Sequence, residues 1–170
     1  MTKKTLQELK DFLKQYRKEL VKKNLADFGS GITTQPHVRR ALSMMNEQAG
    51  YMPEYIPVDS LTGYDLMKPL KKKFDNGLCM DLLEHVDNPF TVAENIGKSI
   101  KKGGLLFVTA PFSWEYHEVP VDYWRFTHTG ILRLFQGQMN YIGIRMERDD
   151  TGEQEGEIKR HRIVAVFRKK

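Results

Sequence analysis

The chain has 170 residues, of which 40% are hydrophobic and 29% charged, so length and composition fit one globular domain with a buried core. Its only cysteine is Cys79, which excludes an intrachain disulfide, and no apolar run approaches the roughly 20 residues that a membrane span needs. The net charge of +5 permits an anionic partner, but the basic residues fall in short runs typical of a solvated surface.

The beginning of the chain predicts a helix. Residues 1–4 lack the apolar stretch of a secretory signal, so we expect a cytoplasmic protein that does not associate with a membrane. Over residues 5–23, apolar side chains such as Leu6, Leu9 and Leu13 recur at spacings of three and four. This helix would cap a cofactor site or form the face of a homodimer, and both alternatives stay open.

The rest of the chain alternates between segments of strand and helix character. The predicted strands are 25–27, 54–59, 77–80, 105–110, 139–148 and 158–168, and the later helices are 37–48, 88–102 and 129–136. Pro57 places its strand near an edge, whereas 105–110 is apolar enough to be buried on both faces. The polar, glycine-containing stretch 149–157 predicts a hairpin.

This alternation predicts an α/β fold in a single domain over 1–170, with a mostly parallel sheet and a C-terminal antiparallel hairpin. Residues 1–23 would form the N-terminal helix, 24–136 the core that holds cofactor and substrate, and 137–170 the hairpin.

A glycine-bearing turn follows the first predicted strand, with the sequence Asp27-Phe28-Gly29-Ser30-Gly31. Glycines let the backbone turn tightly and approach a ligand, and a helix that follows offers free N–H groups. Asp59 ends the next strand, 28 residues after Gly31 and near the roughly 20-residue spacing of an acid that binds ribose hydroxyls. An ordinary turn explains either feature alone.

Three later segments are more specific. Leu83 to Val86 reads Leu-Glu-His-Val, Gly103-Gly104 precedes the buried strand 105–110, and residues 120–127 read Pro-Val-Asp-Tyr-Trp-Arg-Phe-Thr. With the glycine turn, they resemble the class I S-adenosylmethionine-dependent methyltransferases, in particular their small-molecule branch, over about residues 24–136. The resemblance implies a Rossmann-like methyltransferase fold.

The resemblance also implies a site for S-adenosylmethionine. The glycine turn would hold the methionine end, Asp59 the ribose and Asp65 the adenine amino group. The implied cofactor-binding residues are Asp27, Gly29, Ser30, Gly31, Asp59, Asp65, Leu66, Cys79 and Met80, the last two lining the floor beneath the sulfonium. The stretch between Asp59 and Cys79 is too short for a normal strand–helix pair, so we expect a helix there to be missing or reduced to a turn.

The aromatic loop 111–127 would cover the acceptor. His117 is the predicted catalytic residue, because a histidine can take a proton from a hydroxyl or amine as the methyl transfers. Rings can stack on the acceptor and an arginine can pair with its acidic group, so the predicted substrate-binding residues are Tyr116, Tyr123, Trp124 and Arg125. The alternatives are a surface histidine, a hydrophobic plug that includes Phe126, and an internal salt bridge for Arg125.

The same segments offer an alternative, a metal site. Asp81, Glu84 and His85 are spaced to lie close together in a helical stretch, and with His117 they could offer oxygen and nitrogen ligands to a divalent ion. We nevertheless predict no metal, since methyl transfer from a sulfonium needs mainly positioning.

The predicted function is therefore transfer of a methyl group from S-adenosylmethionine to an oxygen or nitrogen of a small-molecule or glycan-like acceptor. The alternative is a methyltransferase-like binding module without turnover, with RNA as a candidate partner given the positive charge. An NAD-binding Rossmann protein is disfavoured because Thr34 stands at the last glycine position of its motif. The sequence does not identify the acceptor.

Overall fold

The computed structural model describes residues 2–49, 53–118, 121–148 and 159–170. Its helices are α1 (Lys3–Gln15), α2 (Arg17–Leu20), α3 (Gly31–Ala49), α4 (Pro89–Ser99) and α5 (His128–Phe135). Its strands are β1 (Asn24–Phe28), β2 (Glu54–Val58), β3 (Asn76–Met80), β4 (Leu105–Ser113), β5 (Met139–Arg148) and β6 (His161–Lys169). Short 3-10 turns occupy Ser60–Thr62 and Leu83–His85.

The strands form one six-stranded sheet in the order β2-β1-β3-β4-β6-β5. The first four are parallel to one another, and β6 is antiparallel to both β4 and β5. The predicted mostly parallel α/β sheet with an antiparallel C-terminal pair is confirmed, and so is the edge position of β2, which contains Pro57. The predicted hairpin turn, 149–157, lies outside the described residues.

Apolar side chains cover both faces of the sheet. Successive side chains of a strand point to opposite faces, and those of the inner strands are apolar on both. Along β4, Leu106 and Val108 join the core on one face, whereas Leu105 and Phe107 join the core on the other. On the second face, Phe12 of α1 stacks on Phe107 with ring centroids 4.8 Å apart. The result is a three-layer arrangement in which α4 and α5 contribute to the first core, and α1 and α3 to the second.

Three helix boundaries differ from the sequence prediction. The predicted helix 5–23 is interrupted at Tyr16, which separates α1 from α2. Helix α3 begins at Gly31 rather than at 37, because the carboxylate of Asp59, the residue after β2, accepts a hydrogen bond from the Gly31 N–H. Helix α4 ends at Ser99, before the predicted 102, because Ile100 forms a parallel bridge with Phe74.

The middle of the chain is reduced, as expected. Between β2 and β3, the described structure contains only the turn Ser60–Thr62 and irregular backbone, without a helix of normal length. Tyr64, Leu66 and Leu70 of this segment pack against the core nonetheless. Among the helices in the described ranges, none has both the length and the apolar character to cross a membrane.

Candidate functional site

A cavity of about 690 Å³ lies where the parallel strands β1, β2 and β3 end. This volume is in the range of roughly 300–1,000 Å³ that is usual for small-molecule sites, and the carboxyl edge of an open α/β sheet is where such sites occur. Its walls come from the segments after the three strands. The lining residues are Gly29, Gly31, Asp59, Ser60, Leu61, Gly63, Tyr64, Asp65, Leu66, Met67, Leu82, His85, Val86 and Val92.

The glycine turn contributes one wall, and Gly29 has two reasons to be glycine. Its φ is +72°, a left-handed conformation that L side chains rarely adopt, and its N–H donates to the Val58 carbonyl at 2.9 Å. A Cβ on Gly29 would lie 2.4 Å from Cδ1 of Leu82. The turn therefore packs directly against the segment that contains the Leu-Glu-His-Val motif.

Asp59 is buried at the rim of the cavity with both carboxylate oxygens engaged. Oδ2 accepts hydrogen bonds from the Ser30 hydroxyl at 2.6 Å and the Gly31 N–H at 3.1 Å, and Oδ1 accepts the Thr62 N–H at 3.0 Å. Burial alone would raise the pKa of this carboxyl, but the hydrogen bonds from Ser30, Thr62 and Gly31 lower it. The carboxylate therefore joins the start of α3 to the turn after β2.

Asp27 and Ser30 are both 1% exposed, and neither lines the cavity. Asp27 accepts a hydrogen bond from the Tyr55 hydroxyl of β2 at 2.7 Å. Burial raises the pKa of the Asp27 carboxyl to about 7, against the lowering effect of the Tyr55 hydrogen bond. Both predicted cofactor residues are therefore engaged within the chain, Asp27 with Tyr55 and Ser30 with Asp59.

Asp65 and Leu66, implied in adenine binding, both line the cavity. The Asp65 carboxylate accepts the Met67 N–H at 2.9 Å and lies 3.1 Å from the Lys68 ammonium, and these contacts lower its pKa. The Leu66 carbonyl accepts a hydrogen bond from Asn95 at 2.9 Å, which fixes the segment to α4. The reduced middle segment thus still supplies a wall.

Cys79 and Met80, implied to lie beneath the sulfonium, are not among the residues that line this cavity. Both are buried, at 0% and 5% exposure, on opposite faces of β3, and burial raises the pKa of the Cys79 thiol. The chain turns sharply at Asp81, whose φ is +48°, and this turn brings Leu82 and His85 to the cavity instead. His85 and Val86, which line the cavity, belong to the Leu-Glu-His-Val motif of residues 83–86.

Arg125 is engaged within the aromatic loop, in agreement with the alternative of an internal salt bridge. Its guanidinium forms a two-pronged pair with Asp122, and it also donates to the carbonyls of Trp114, Glu115 and Trp124. These five hydrogen bonds use every N–H of the group, so Arg125 has no donor left for an acceptor molecule. The Arg125 hydrogen bonds hold the pKa of the Asp122 carboxyl at about 2.

The other predicted acceptor contacts are exposed aromatic side chains of the same loop. Tyr116, Tyr123 and Trp124 are 70%, 53% and 41% exposed, while Phe126 is buried in the core. The Trp124 indole donates to the Val86 carbonyl at 2.9 Å, and the Tyr123 N–H donates to the Glu84 carbonyl at 2.8 Å. Of the predicted hydrophobic plug, therefore, only Phe126 packs inside; the adjoining Pro120 is outside the described residues.

His117 lies beside His85, which lines the cavity; their rings are 5.1 Å apart and edge to face. The backbone N–H of His117 donates to Asp122 at 2.8 Å. Its Nδ1 faces two acceptors, the Glu115 carbonyl at 3.1 Å and the Asp122 carboxylate at 3.2 Å. The ring is therefore oriented by the loop and has Nε2 left for other contacts.

Glu84 joins these histidines, whereas Asp81 does not. Ligand atoms of Glu84, His85 and His117 all lie within 4.8 Å of one another. The Asp81 carboxylate accepts from Thr109 at 2.8 Å and from Arg162 at 3.1 Å, so it belongs to the contact between β4 and β6. Burial, together with the nearby charge of Asp81, raises the pKa of the Glu84 carboxyl well above its usual value.

Solved structures with this fold are similar to the chain in shape but distant in sequence. They include an S-adenosylmethionine-dependent methyltransferase from Methanosarcina mazei, with a TM-score of 0.61 and 12% identity over 93% of this chain and 96% of that one. The N-methyltransferase NodS from Bradyrhizobium japonicum, solved with S-adenosyl-L-homocysteine, gives a TM-score of 0.55 and 14% identity over 98% and 86%. The [4+2]-cyclase SpnF gives 0.58 and 15% over 95% and 80%.

At these identities the likeness establishes the Rossmann-like methyltransferase fold and nothing finer. No protein-family model matches the chain, and no curated protein is similar to it by sequence. Proteins with this fold therefore include methyltransferases and a protein named as a cyclase. The fold does not determine the activity of this chain, which depends on the residues of its own site.

Proposed function

We propose that this chain is an S-adenosylmethionine-dependent methyltransferase that binds its cofactor in the cavity after β1, β2 and β3. The observation that carries the proposal is a convergence of residues. Five of the residues implied in cofactor binding from separate parts of the sequence line this one cavity: Gly29, Gly31, Asp59, Asp65 and Leu66. We propose an oxygen or nitrogen of a small-molecule or glycan-like acceptor as the methylated atom.

The chemistry of the wall suits the cofactor. Carboxylates of Asp59 and Asp65 stand on the side of the reduced middle segment, where hydroxyl and amino groups of a nucleoside need acceptors. Leu61, Leu66 and Val92 supply apolar surface for a flat base. Because the Asp59 oxygens already accept hydrogen bonds within the chain, ribose hydroxyls would share or replace those of Ser30 and Thr62.

S-adenosylmethionine, when bound, supplies an electrophilic methyl group, and the remaining task of the protein is to position an acceptor and remove its proton. Asp122 and the Glu115 carbonyl can only accept the hydrogen of His117 Nδ1, which leaves the Nε2 lone pair free. His117 Nε2 is therefore the proposed proton acceptor. Asp122, ionised through Arg125, would stabilise the resulting imidazolium.

The loop also indicates the kind of acceptor. Tyr116, Tyr123 and Trp124 present exposed rings, which pack well on an aromatic group or on the apolar face of a sugar. Since Arg125 has all its donors engaged, an acidic group on the acceptor would have to find another partner.

Calorimetric titration with S-adenosylmethionine and S-adenosylhomocysteine tests the cofactor site. We expect micromolar binding of both and, for Asp65→Asn, affinity weakened by roughly tenfold, the effect of about one charged hydrogen bond. Asp11→Asn, on the exposed face of α1, is the matched control and should bind as the wild type does. Absence of binding at millimolar concentrations of either compound would overturn the proposal.

A panel of hydroxyl- and amine-bearing acceptors, with formation of S-adenosylhomocysteine as the readout, tests the proton acceptor. His117→Gln should lower kcat by roughly 100-fold or more, within the range of general-base contributions, and leave cofactor affinity nearly unchanged. Wild-type turnover by this variant would remove His117 from the chemistry.

A second candidate, a binding module without turnover, has one observation in its favour. The Asp59 carboxylate, the expected ribose ligand, is saturated by contacts within the chain. This candidate predicts no cofactor binding together with RNA binding whose affinity falls steeply as salt is added.

A further inference from the structure

We propose that Glu84, His85 and His117 form a binding site for one divalent transition-metal ion of the Zn²⁺ class. The inference rests on the geometry of these side chains and does not depend on methyl transfer. It replaces the expectation from sequence that no metal is bound.

The ligand atoms are close enough for one ion. They lie within 4.8 Å of one another, whereas ligands at about 2.1 Å around a tetrahedral Zn²⁺ are roughly 3.4 Å apart. Side-chain rotations that move the ligand atoms by about 1 Å would close the difference. Two of the three residues, Glu84 and His85, are neighbours on the 3-10 turn Leu83–His85. The chain therefore brings two imidazoles and a carboxylate around one point.

The hydrogen bonds around the imidazoles orient both rings for ligation. Nδ1 of His85 faces the Val121 carbonyl, and Nδ1 of His117 faces the Glu115 carbonyl and the Asp122 carboxylate. These oxygens can only accept, so each Nδ1 carries the hydrogen and each Nε2 has a free lone pair. A carbonyl or carboxylate behind the imidazole is the usual arrangement for a metal-binding histidine.

Glu84 supplies an independent indication. The residue is 2% exposed, and its Oε2 has no hydrogen-bond partner in the described structure, while Oε1 lies 3.8 Å from Nε2 of His85. A buried carboxylate oxygen without a donor is costly unless a cation or a hydrogen bond satisfies it. An imidazole Nε2 that carries a lone pair cannot donate to it, whereas an ion held between the two rings would neutralise its charge.

The surroundings hold the three residues in place. The Tyr123 N–H donates to the Glu84 carbonyl, and the Asp122–Arg125 pair anchors the backbone of His117. Residues 121–124 are thus tied to the Leu-Glu-His-Val segment next to the candidate site.

The ligand atoms favour a particular class of metal ion. Two imidazoles and one carboxylate suit Zn²⁺ and related first-row ions, whereas Mg²⁺ and Ca²⁺ prefer sites made of oxygen. Three protein ligands leave at least one coordination position open, and His85 lines the large cavity. A metal-bound His117 could not also act as a base, so with the ion present the ion would lower the pKa of a coordinated acceptor hydroxyl, whose proton would pass to solvent water.

Calorimetric titration of the tag-free, metal-stripped chain with Zn²⁺ tests the site, with Ca²⁺ as the probe for non-specific binding to acidic groups. We expect one Zn²⁺ per chain at micromolar affinity or better, and no comparable binding of Ca²⁺. Glu84→Gln, which keeps the side-chain shape, should weaken Zn²⁺ binding at least tenfold, as should His85→Gln. His37→Gln, an exposed histidine on α3, is the matched control and should leave the affinity unchanged.

Two further readouts make the result decisive. Co²⁺ in place of Zn²⁺ should produce visible d–d bands that disappear in Glu84→Gln, and circular dichroism should show that the variant is folded. Absence of Zn²⁺ binding by the wild type, or equal weakening in His37→Gln and Glu84→Gln, would overturn the proposal. Titration of the metal-free chain with S-adenosylhomocysteine is a separate measurement, so failure of the cofactor site and failure of the metal site are distinguishable.

Discussion

Two buried carboxylates at the same edge of the sheet have opposite environments. Asp59, after β2, receives hydrogen bonds from Ser30, Gly31 and Thr62, and its pKa is lowered. Glu84, after β3, has an oxygen without a partner in the described structure, and its pKa is raised well above the usual value. Both residues are less than 9% exposed, so burial does not distinguish them.

The difference is the supply of hydrogen-bond donors. Asp59 lies where a helix begins and a 3-10 turn starts, and both offer free N–H groups that stabilise a negative charge. Oε2 of Glu84 has no hydrogen-bond partner among the described residues. The chain itself thus stabilises the Asp59 carboxylate, whereas the proposed cation would stabilise that of Glu84. Asp27 is intermediate between Asp59 and Glu84, because its carboxylate accepts a hydrogen bond from the Tyr55 hydroxyl.

The largest expected effect concerns Asp27 and pH. Its carboxyl has a pKa of about 7 when folded, against an ordinary value of 3.8, so the folded protein binds more protons between these values. Stability contributed by this group is present below about pH 4 and is lost as the pH rises to 7, by up to about 4 kcal/mol. Urea unfolding across this range should show a smaller fall for Asp27→Asn than for the wild type. If the free energy of unfolding fell equally with pH in the two proteins, the shortage of hydrogen-bond donors at Asp27 would not affect its titration.

The next effect tests the saturated carboxylate. Asp59→Asn replaces one accepting oxygen with an NH₂ group that opposes the donors around it, and should lower the free energy of unfolding by about 2 kcal/mol. Asp11→Asn, on the exposed face of α1, should stay within about 0.5 kcal/mol of the wild type. Urea unfolding at neutral pH measures both, and equal stability of the two variants would show that the Asp59 contacts contribute little.

A smaller effect is expected at Arg125, which supplies donors to the buried carboxylate of Asp122. Lysine cannot form the two-pronged pair, so Arg125→Lys should cost about 1 kcal/mol of stability. It should also lower kcat or Zn²⁺ affinity, because the loop that orients His117 is loosened. Arg133→Lys, at an exposed position of α5, is the matched control for the loss of a guanidinium.

The smallest effect is expected at Glu84 in the metal-free protein. Glu84→Gln should not lower the free energy of unfolding at neutral pH, because the altered oxygen has no partner to lose and the amide carries no charge that burial destabilises. The same carboxylate-to-amide change is thus costly at Asp59 and without cost at Glu84. A loss at Glu84 as large as at Asp59 would mean that this carboxylate serves the fold rather than a ligand.

Local patterns in the sequence predicted much of the fold and part of the site. Alternating apolar segments indicated the α/β sheet, and Asn88-Pro89 marked the start of α4, where the Asn88 side chain accepts the Thr91 N–H at 3.0 Å. The glycine turn and Asp65 were expected to border one site, and both line the same cavity. These features follow from properties of neighbouring residues: hydrophobic period, turn chemistry and helix capping.

Contacts between distant parts of the chain decided the rest. The early start of α3 depends on Asp59, which is 28 residues away. The presence of Leu82 and His85 in the cavity wall depends on a backbone turn at Asp81. The full engagement of Arg125, and the donor missing at Glu84, depend on where a loop and a strand end meet. Composition and spacing determine which side chains are available, but only packing determines which of their polar atoms are already satisfied, because a donor for one segment comes from another that is remote in sequence.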